Sequence, residues 1–256
     1  MLYSMRLDET GTDGLSDVTI VGGAVATADQ WDNLERKWAK LISMYELEDF
    51  QWKDWIGNRK PFSRWPPDKK RKFAKQQDEI IKKNTMFRCA VSVNKMAHDE
   101  VKERMRGIKG FSPDSDYSLG IRALMFRACE DIAQNLDPNC RLSVMVEDGP
   151  WSSGAYKVYQ SVSKMTGKWK PAKHAHRLAG FDAVPKGERP SMSVADYICG
   201  TYLRLLNSER RLVPSKSGLL IVMDADRLYN WYDRMIVEKQ SRRQFASFRQ
   251  QRNAEQ

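Results

Sequence analysis

Arg141-Leu142-Ser143-Val144-Met145-Val146-Glu147-Asp148-Gly149-Pro150 is a short apolar run that ends in two acids and a Gly-Pro turn. Leu142 to Val146 has the length of a buried strand. Before it, Tyr117, Ile121, Leu124, Met125, Ala128 and Ile132 recur at helical spacing, with a stop at Asp137-Pro138-Asn139. After it, Ser152 to Lys164 predicts a helix, Leu178 to Val184 a last strand, and Ser191 to Leu206 a further helix. Strands alternating with helices in this way make βαβ units, and the fold class is α/β with a mixed sheet.

Working outward, Tyr3 to Asp8 and Val18 to Ala26 flank the turn Thr10-Gly11-Thr12-Asp13-Gly14 and predict a hairpin. Trp31, Leu34, Trp38, Leu41, Ile42 and Tyr45 then mark a helix, with a capping box over Thr27 to Gln30. Phe50 to Pro67 breaks into aromatic, basic and proline residues, an irregular lobe. A second helix follows Pro66-Pro67, and Met86 to Val93 reads as a strand. Asn94 to Ser115 is a loop or a short helix. Leu219-Leu220-Ile221-Val222-Met223 is one more apolar run, ahead of a helix and a basic tail. This order is compatible with a ribonuclease H-like mixed β-sheet flanked by helices, although periodicity alone also allows other α/β folds. The domain would span residues 1–206, with a helical and irregular insertion at about 46–85 after the first hairpin. Residues 207–256 would form a C-terminal extension with a basic helical tail.

Composition narrows the function class. With 43 Lys and Arg against 33 Asp and Glu the chain carries +10, which suits an anionic partner without naming it. An apolar fraction of 41% in 256 residues supports a real core and excludes wholesale disorder. No stretch approaches the ~20 apolar residues of a membrane span, so no membrane partner is expected. Met1-Leu2-Tyr3-Ser4-Met5-Arg6 lacks a charged leader followed by an apolar block, which argues against secretion. Cys89, Cys129, Cys140 and Cys199 lack CxxC spacing and fit reduced thiols in a cytoplasmic protein.

Several segments together resemble the domain of unknown function 3800 family, a bacterial and phage group. They are Leu7-Asp8-Glu9-Thr10-Gly11, Val21-Gly22-Gly23, Phe50-Gln51-Trp52-Lys53-Asp54, Phe62-Ser63-Arg64-Trp65 with Lys69-Lys70 beyond, Val146-Glu147-Asp148-Gly149, and Val194-Ala195-Asp196. The match covers roughly residues 5 to 206 in order. The resemblance implies a ribonuclease H-like fold with acids on the first strand, after a middle strand and on the late helix. Nuclease activity follows from such a fold only by analogy. The chain departs from the family at three positions: Gln51 where His is frequent, Thr10 where Ser stands, and Ser193 in place of Gln. Gln51 cannot titrate near neutrality as His does.

The acids also bear reading for themselves. Asp8 sits where strand gives way to turn, either as an Asx-type turn start or as a ligand. Glu9 points to the opposite face if the strand continues. Glu147 closes an apolar strand, where sites in open α/β sheets collect, unless it merely opens a Gly-Pro turn toward water. Asp148 is the weaker neighbour. Asp196 lies on a helix apolar on both sides, so its carboxylate wants a cation or a donor. Alternatively, Ser193-x-x-Asp196 is a capping box. Asp8, Glu147 and Asp196, with Glu9 as a fourth acid, form the expected catalytic and metal-binding set for Mg2+ or Mn2+, hard ions that take oxygen ligands.

His174 and His176 lie two apart without a third ligand nearby, which reads as a surface turn. Trp52, Trp55 and Trp65 are interleaved with Lys53, Arg59, Lys60 and Arg64, and read as a small core before a base-stacking platform. From Lys60 to Lys83 nine cations face three acids. Lys69, Lys70, Arg71, Lys72 and Lys75 are the expected nucleic-acid contacts, guiding a phosphate backbone to the acids. Arg242, Arg243, Arg249 and Arg252 read as a solvated helix end. The function class is then a metal-dependent phosphodiesterase acting on RNA, DNA or a hybrid, or a non-catalytic binding module that keeps the fold. The sequence does not address the oligomeric state.

Overall fold

Strand β1 (Leu2–Thr10) turns back into β2 (Val18–Thr27) and then, after the insertion, pairs through β2 with β3 (Phe87–Asn94). The structure is a computed structural model that describes residues 1–12, 16–109, 112–136, 139–165, 172–207, 218–223 and 231. These three strands are antiparallel. β4 (Arg141–Glu147) joins β1 in parallel, and β5 (Leu178–Val184) joins β4 in parallel. An antiparallel trio extended beside β1 by two parallel strands is the ribonuclease H-like arrangement expected from the element order. Gly218–Met223, inside the segment read above as an extension, pairs in parallel with β3 as β6 and completes the sheet order β5-β4-β1-β2-β3-β6. The basic tail, with Arg242, Arg243, Arg249 and Arg252, lies outside the described residues.

Period-two alternation sorts the strand side chains between two cores. Tyr3, Met5 and Leu7 with Leu142, Val144 and Val146 pack under α5 (Asp116–Asn135) and α6 (Ser152–Ser163). Ser4, Arg6 and Asp8 therefore face the other side, where α1 (Ala28–Met44) and α7 (Pro190–Asn207) lie. There the Trp31 indole Nε1 donates to the Ser4 carbonyl at 2.9 Å, and the Cys199 thiol to the Asp8 carbonyl at 3.1 Å. All four cysteines are buried and unpaired.

The stretch between β2 and β3 is built on aromatic packing. Thr27 and Gln30 make the expected capping box, and Trp31, Leu34, Trp38, Leu41 and Ile42 form the buried stripe of α1. The irregular lobe resolves into α2 (Trp52–Ile56) and a 3-10 turn at Phe62–Arg64, ahead of α3 (Pro67–Asn84). Phe50, Phe62 and Phe73 are fully enclosed, and Trp55 meets Phe62 edge-on at 5.1 Å. The core reading of the Trp52, Trp55 and Trp65 cluster is the one the structure shows. The segment after β3 forms α4 (Lys95–Arg104), whose N-terminus is capped by Asn94. Among the described residues no helix is long and apolar enough to cross a membrane.

Candidate active site

Because β1, β4 and β5 are mutually parallel, their C-terminal ends share one edge of the sheet. Asp8 and Glu9 lie near the end of β1, and Glu147 is the last residue of β4. One step beyond the pairing of Leu7 with Val146, Asp8 and Glu147 stand side by side on the α7 face. Asp196, two turns into α7, comes to the same place from above. These four acids line one cleft of about 280 Å3 with Thr10, Asp49, Gln51, Lys53, Lys186, Arg189 and Ser193. Glu9 belongs to it even though alternation turns it toward the opposite face.

The two local alternatives for Asp8 and Asp196 do not hold. β1 runs on to Thr10, so Asp8 is inside a strand and starts no turn; its Oδ1 accepts from the Glu9 backbone N–H at 2.8 Å. α7 begins at Pro190, so Ser193 is already inside the helix and forms no box with Asp196. Asp196 instead reaches across to another helix, where its Oδ2 accepts from the Trp52 N–H at 2.8 Å, the first turn of α2. Gly200, one turn further along α7, makes this contact possible. A Cβ at Gly200 would stand 2.0 Å from the Trp52 ring, so only glycine lets that ring lie on the helix. Asp148 is exposed, accepts from the Ser152 hydroxyl at 2.8 Å and serves the turn into α6.

The electrostatics of the cleft are unbalanced. Burial, then Asp196 and Glu9, raise the Asp8 carboxyl well above the usual carboxylate range. Burial and Glu147 push Glu9 up to about 7, and burial raises Asp196 to about 6 despite the Trp52 N–H. Lys186 Nζ donates to Glu147 Oε2 at 3.2 Å. Burial would lower its ammonium, but Glu147 together with Asp8 and Asp196 holds it above its ordinary value. Arg189 is anchored by Glu35 at 3.9 Å, and Glu35 also pairs with the buried Arg6. Asp49 is fully occupied, accepting from the Phe50 N–H and the Gln51 amide at 2.7 Å each and from the Ser193 hydroxyl at 3.2 Å.

Lys53, Asp49, Lys186 and Arg189 were not among the site residues expected from sequence. Lys186 was findable, being two residues past a correctly placed parallel strand. Asp49 and Arg189 gave no signal, because only the tertiary fold sets the irregular lobe against α7. Of the expected nucleic-acid contacts, none lines the cleft. The Lys69 ammonium sits 4.4 Å over the Trp65 ring, Lys70 donates to Asn58 at 2.6 Å, and Arg71 pairs with Asp68. Lys72 and Lys75 are exposed. His174 and His176 flank one another at 6.3 Å between ring centroids, near the start of β5 and away from the acids. Among the described residues, no three His, Cys, Asp or Glu side chains are already disposed to hold a metal ion.

No family model matches the chain, and no curated protein matches it. Among solved structures, the chain is similar to Bst-RNase HIII in complex with Mn2+, at 14% identity and a TM-score of 0.39. The match covers 80% of this chain and 52% of that one, so the chain spans about half the length of the structure it matches.

Proposed function

We propose that this protein is a divalent-metal-dependent phosphodiesterase acting on nucleic acid. The observation that carries the reading is the convergence of Asp8, Glu9, Glu147 and Asp196 in one cleft at the C-terminal edge of the parallel strands. The donor chemistry fits Mg2+ or Mn2+: all four are hard oxygen ligands, and burial together with neighbouring carboxylates raises Asp8, Glu9 and Asp196. Asp8, Glu147 and Asp196 would hold the ion, with Glu9 beside them. When bound, such an ion acidifies water and offsets charge on a phosphodiester.

The chain's own residues have separable roles. Lys53, Lys186 and Arg189 line the cleft and draw a phosphate toward acids that would otherwise repel it. Lys186 already neutralises part of Glu147, so its ammonium competes with a cation for that carboxylate. Glu9, beside those ligands in the cleft, is placed to accept a hydrogen bond from water or to return a proton to a leaving oxygen. Lys72 and Lys75 on α3 extend the cationic path outside the cleft.

Membership of the domain of unknown function 3800 family is part of the same proposal. The positions that carry the resemblance at Asp8, Lys53, Glu147 and Asp196 line the cleft, and so do all three departures, Thr10, Gln51 and Ser193. Gln51 favours the second reading, a binding module without turnover, because its amide is bonded to Asp49 and exchanges no proton. End-labelled single-stranded RNA, single-stranded DNA and an RNA–DNA hybrid, incubated with Mg2+ or Mn2+ and with chelator, decide between the two. Cleavage that needs the ion and disappears in Asp8→Asn supports the enzyme. Binding without cleavage supports the module, and cleavage undiminished in Asp8→Asn refutes the carboxylate site.

A further inference from the structure

A second cavity, of about 540 Å3, continues from the acidic cleft and shares four of its lining residues, Asp49, Gly187, Arg189 and Ser193. Its floor is apolar: Trp38, Ile42 and Leu47 are all buried. Glu46 and Glu48 stand exposed at its mouth, and neither carboxylate makes a hydrogen bond or ion pair with the described residues. Glu46 is held at φ 57, the left-handed region that favours glycine, at the end of α1. Beneath, the indole N–H of Trp38 is buried and meets no acceptor, although most buried donors in native folds do.

We infer that this cavity is a nucleobase subsite that receives an unpaired base next to the phosphate in the acidic cleft, with guanine as the preferred base. The chemistry is complementary. A flat apolar body matches the floor, and carboxylates accept hydrogen bonds and cannot donate them. Guanine offers two adjacent donors, N1–H and the N2 amino group, to one carboxylate. Adenine offers only its N6 amino group and uracil only N3–H. A phosphate is the wrong ligand here, because Glu46 and Glu48 repel it. Arg189, at the junction of both cavities, is placed for the phosphate that links the base to the reacting one. The base is unpaired, because one stacked and paired in a duplex cannot enter a pocket.

This inference rests on the phosphodiesterase reading for the strand to which the base belongs, yet it is testable without cleavage. Guanosine, inosine, adenosine and uridine are titrated into the full chain in chelator, with affinity read by calorimetry. Guanosine should bind about tenfold tighter than adenosine or uridine, and inosine, which lacks the N2 amino group, should fall between them. In Glu46→Gln/Glu48→Gln the preference should disappear. Ser43→Trp, at an exposed lining position, should block all four nucleosides while leaving the thermal midpoint unchanged. Equal affinities, no saturable guanosine binding, or a preference retained in both variants would each overturn the subsite. If the intact protein cleaves no strand but binds guanosine selectively, the phosphodiesterase reading fails and the subsite stands.

Discussion

Helices α5 and α7 cover opposite faces of the same sheet and have nearly the same length, 20 and 18 residues, but treat buried charge in opposite ways. On the α5 side the buried Arg122 and His98 each have a matched partner. Arg122 is held by Asp114 through two bonds, at 2.7 and 2.8 Å, and by Ser161 at 3.3 Å. His98 pairs with Asp116, whose carboxyl stays below its ordinary value although burial alone would raise it. On the α7 side four carboxylates meet with Lys186 as their bonded ammonium, and three of them are raised. Charge settled within the fold builds structure. Charge left unsettled marks the place where a ligand is needed to complete the balance.

The same substitution on the two faces should therefore have opposite signs. Asp114→Asn strands the buried Arg122 guanidinium and should cost about 3 kcal/mol in denaturant unfolding. Asp196→Asn keeps an acceptor for the Trp52 N–H and removes like-charge repulsion, so stability should hold or rise while metal-dependent cleavage is lost. Equal destabilisation by both would break the comparison.

Each helix also carries a glycine against its neighbour. At Gly200 an added Cβ meets the Trp52 ring at 2.0 Å, whereas at Gly120 it meets a Val21 methyl at 2.7 Å. Gly200→Ala should cost about 2–3 kcal/mol and Gly120→Ala about 1 kcal/mol, measured as shifts of the unfolding midpoint.

Acid titration sharpens the contrast further. Glu9 and Asp196 have folded values of about 7 and about 6, above the ordinary carboxylate values, so the folded chain holds protons that the unfolded chain releases. Stability without metal should then fall as pH rises from about 4 to 7. Added Mn2+ should recover it at pH 7.5 and have little effect at pH 5, where the carboxyls hold their protons. A flat melting profile from pH 5 to 7.5 without metal would remove the charge surplus from the account.

The smallest effect belongs to the exposed cations of α3. Reversing Lys69, Lys70, Arg71 and Lys72 to Glu should leave any cleavage chemistry in place. It should weaken nucleic-acid binding broadly across sequences, and reduce the slope of log affinity against log salt from an expected value of about −3 to −4. Lys69, Lys70 and Arg71 are already engaged with Trp65, Asn58 and Asp68, so most of the change should come from Lys72. An unchanged salt slope would make α3 a solvated face.

The sequence by itself determined most of the elements and their order, because periodicity of 3.6 or 2 is a local property of the chain; α2 stayed hidden in the irregular lobe, and α4 stayed open between loop and short helix. The strand at Leu142–Val146, the capping box at Thr27 and the stripe of α1 all needed no more than that. It also singled out Asp8, Glu147 and Asp196, since an acid closing an apolar strand or set in a two-sided apolar helix is conspicuous in any fold. Only the tertiary structure decided which contacts those acids make. Asp196 caps α2 and not its own helix because α7 starts at Pro190, and the lobe is laid against it through a Trp52 ring that fits only over Gly200. Arg189 and Asp49 enter the cleft from loops whose path no local pattern encodes. The pairing of β6 with β3 depended likewise on which sheet edge was open. Spacing along a chain fixes faces of elements, whereas the charge at a site is set by groups brought together from residues far apart in sequence.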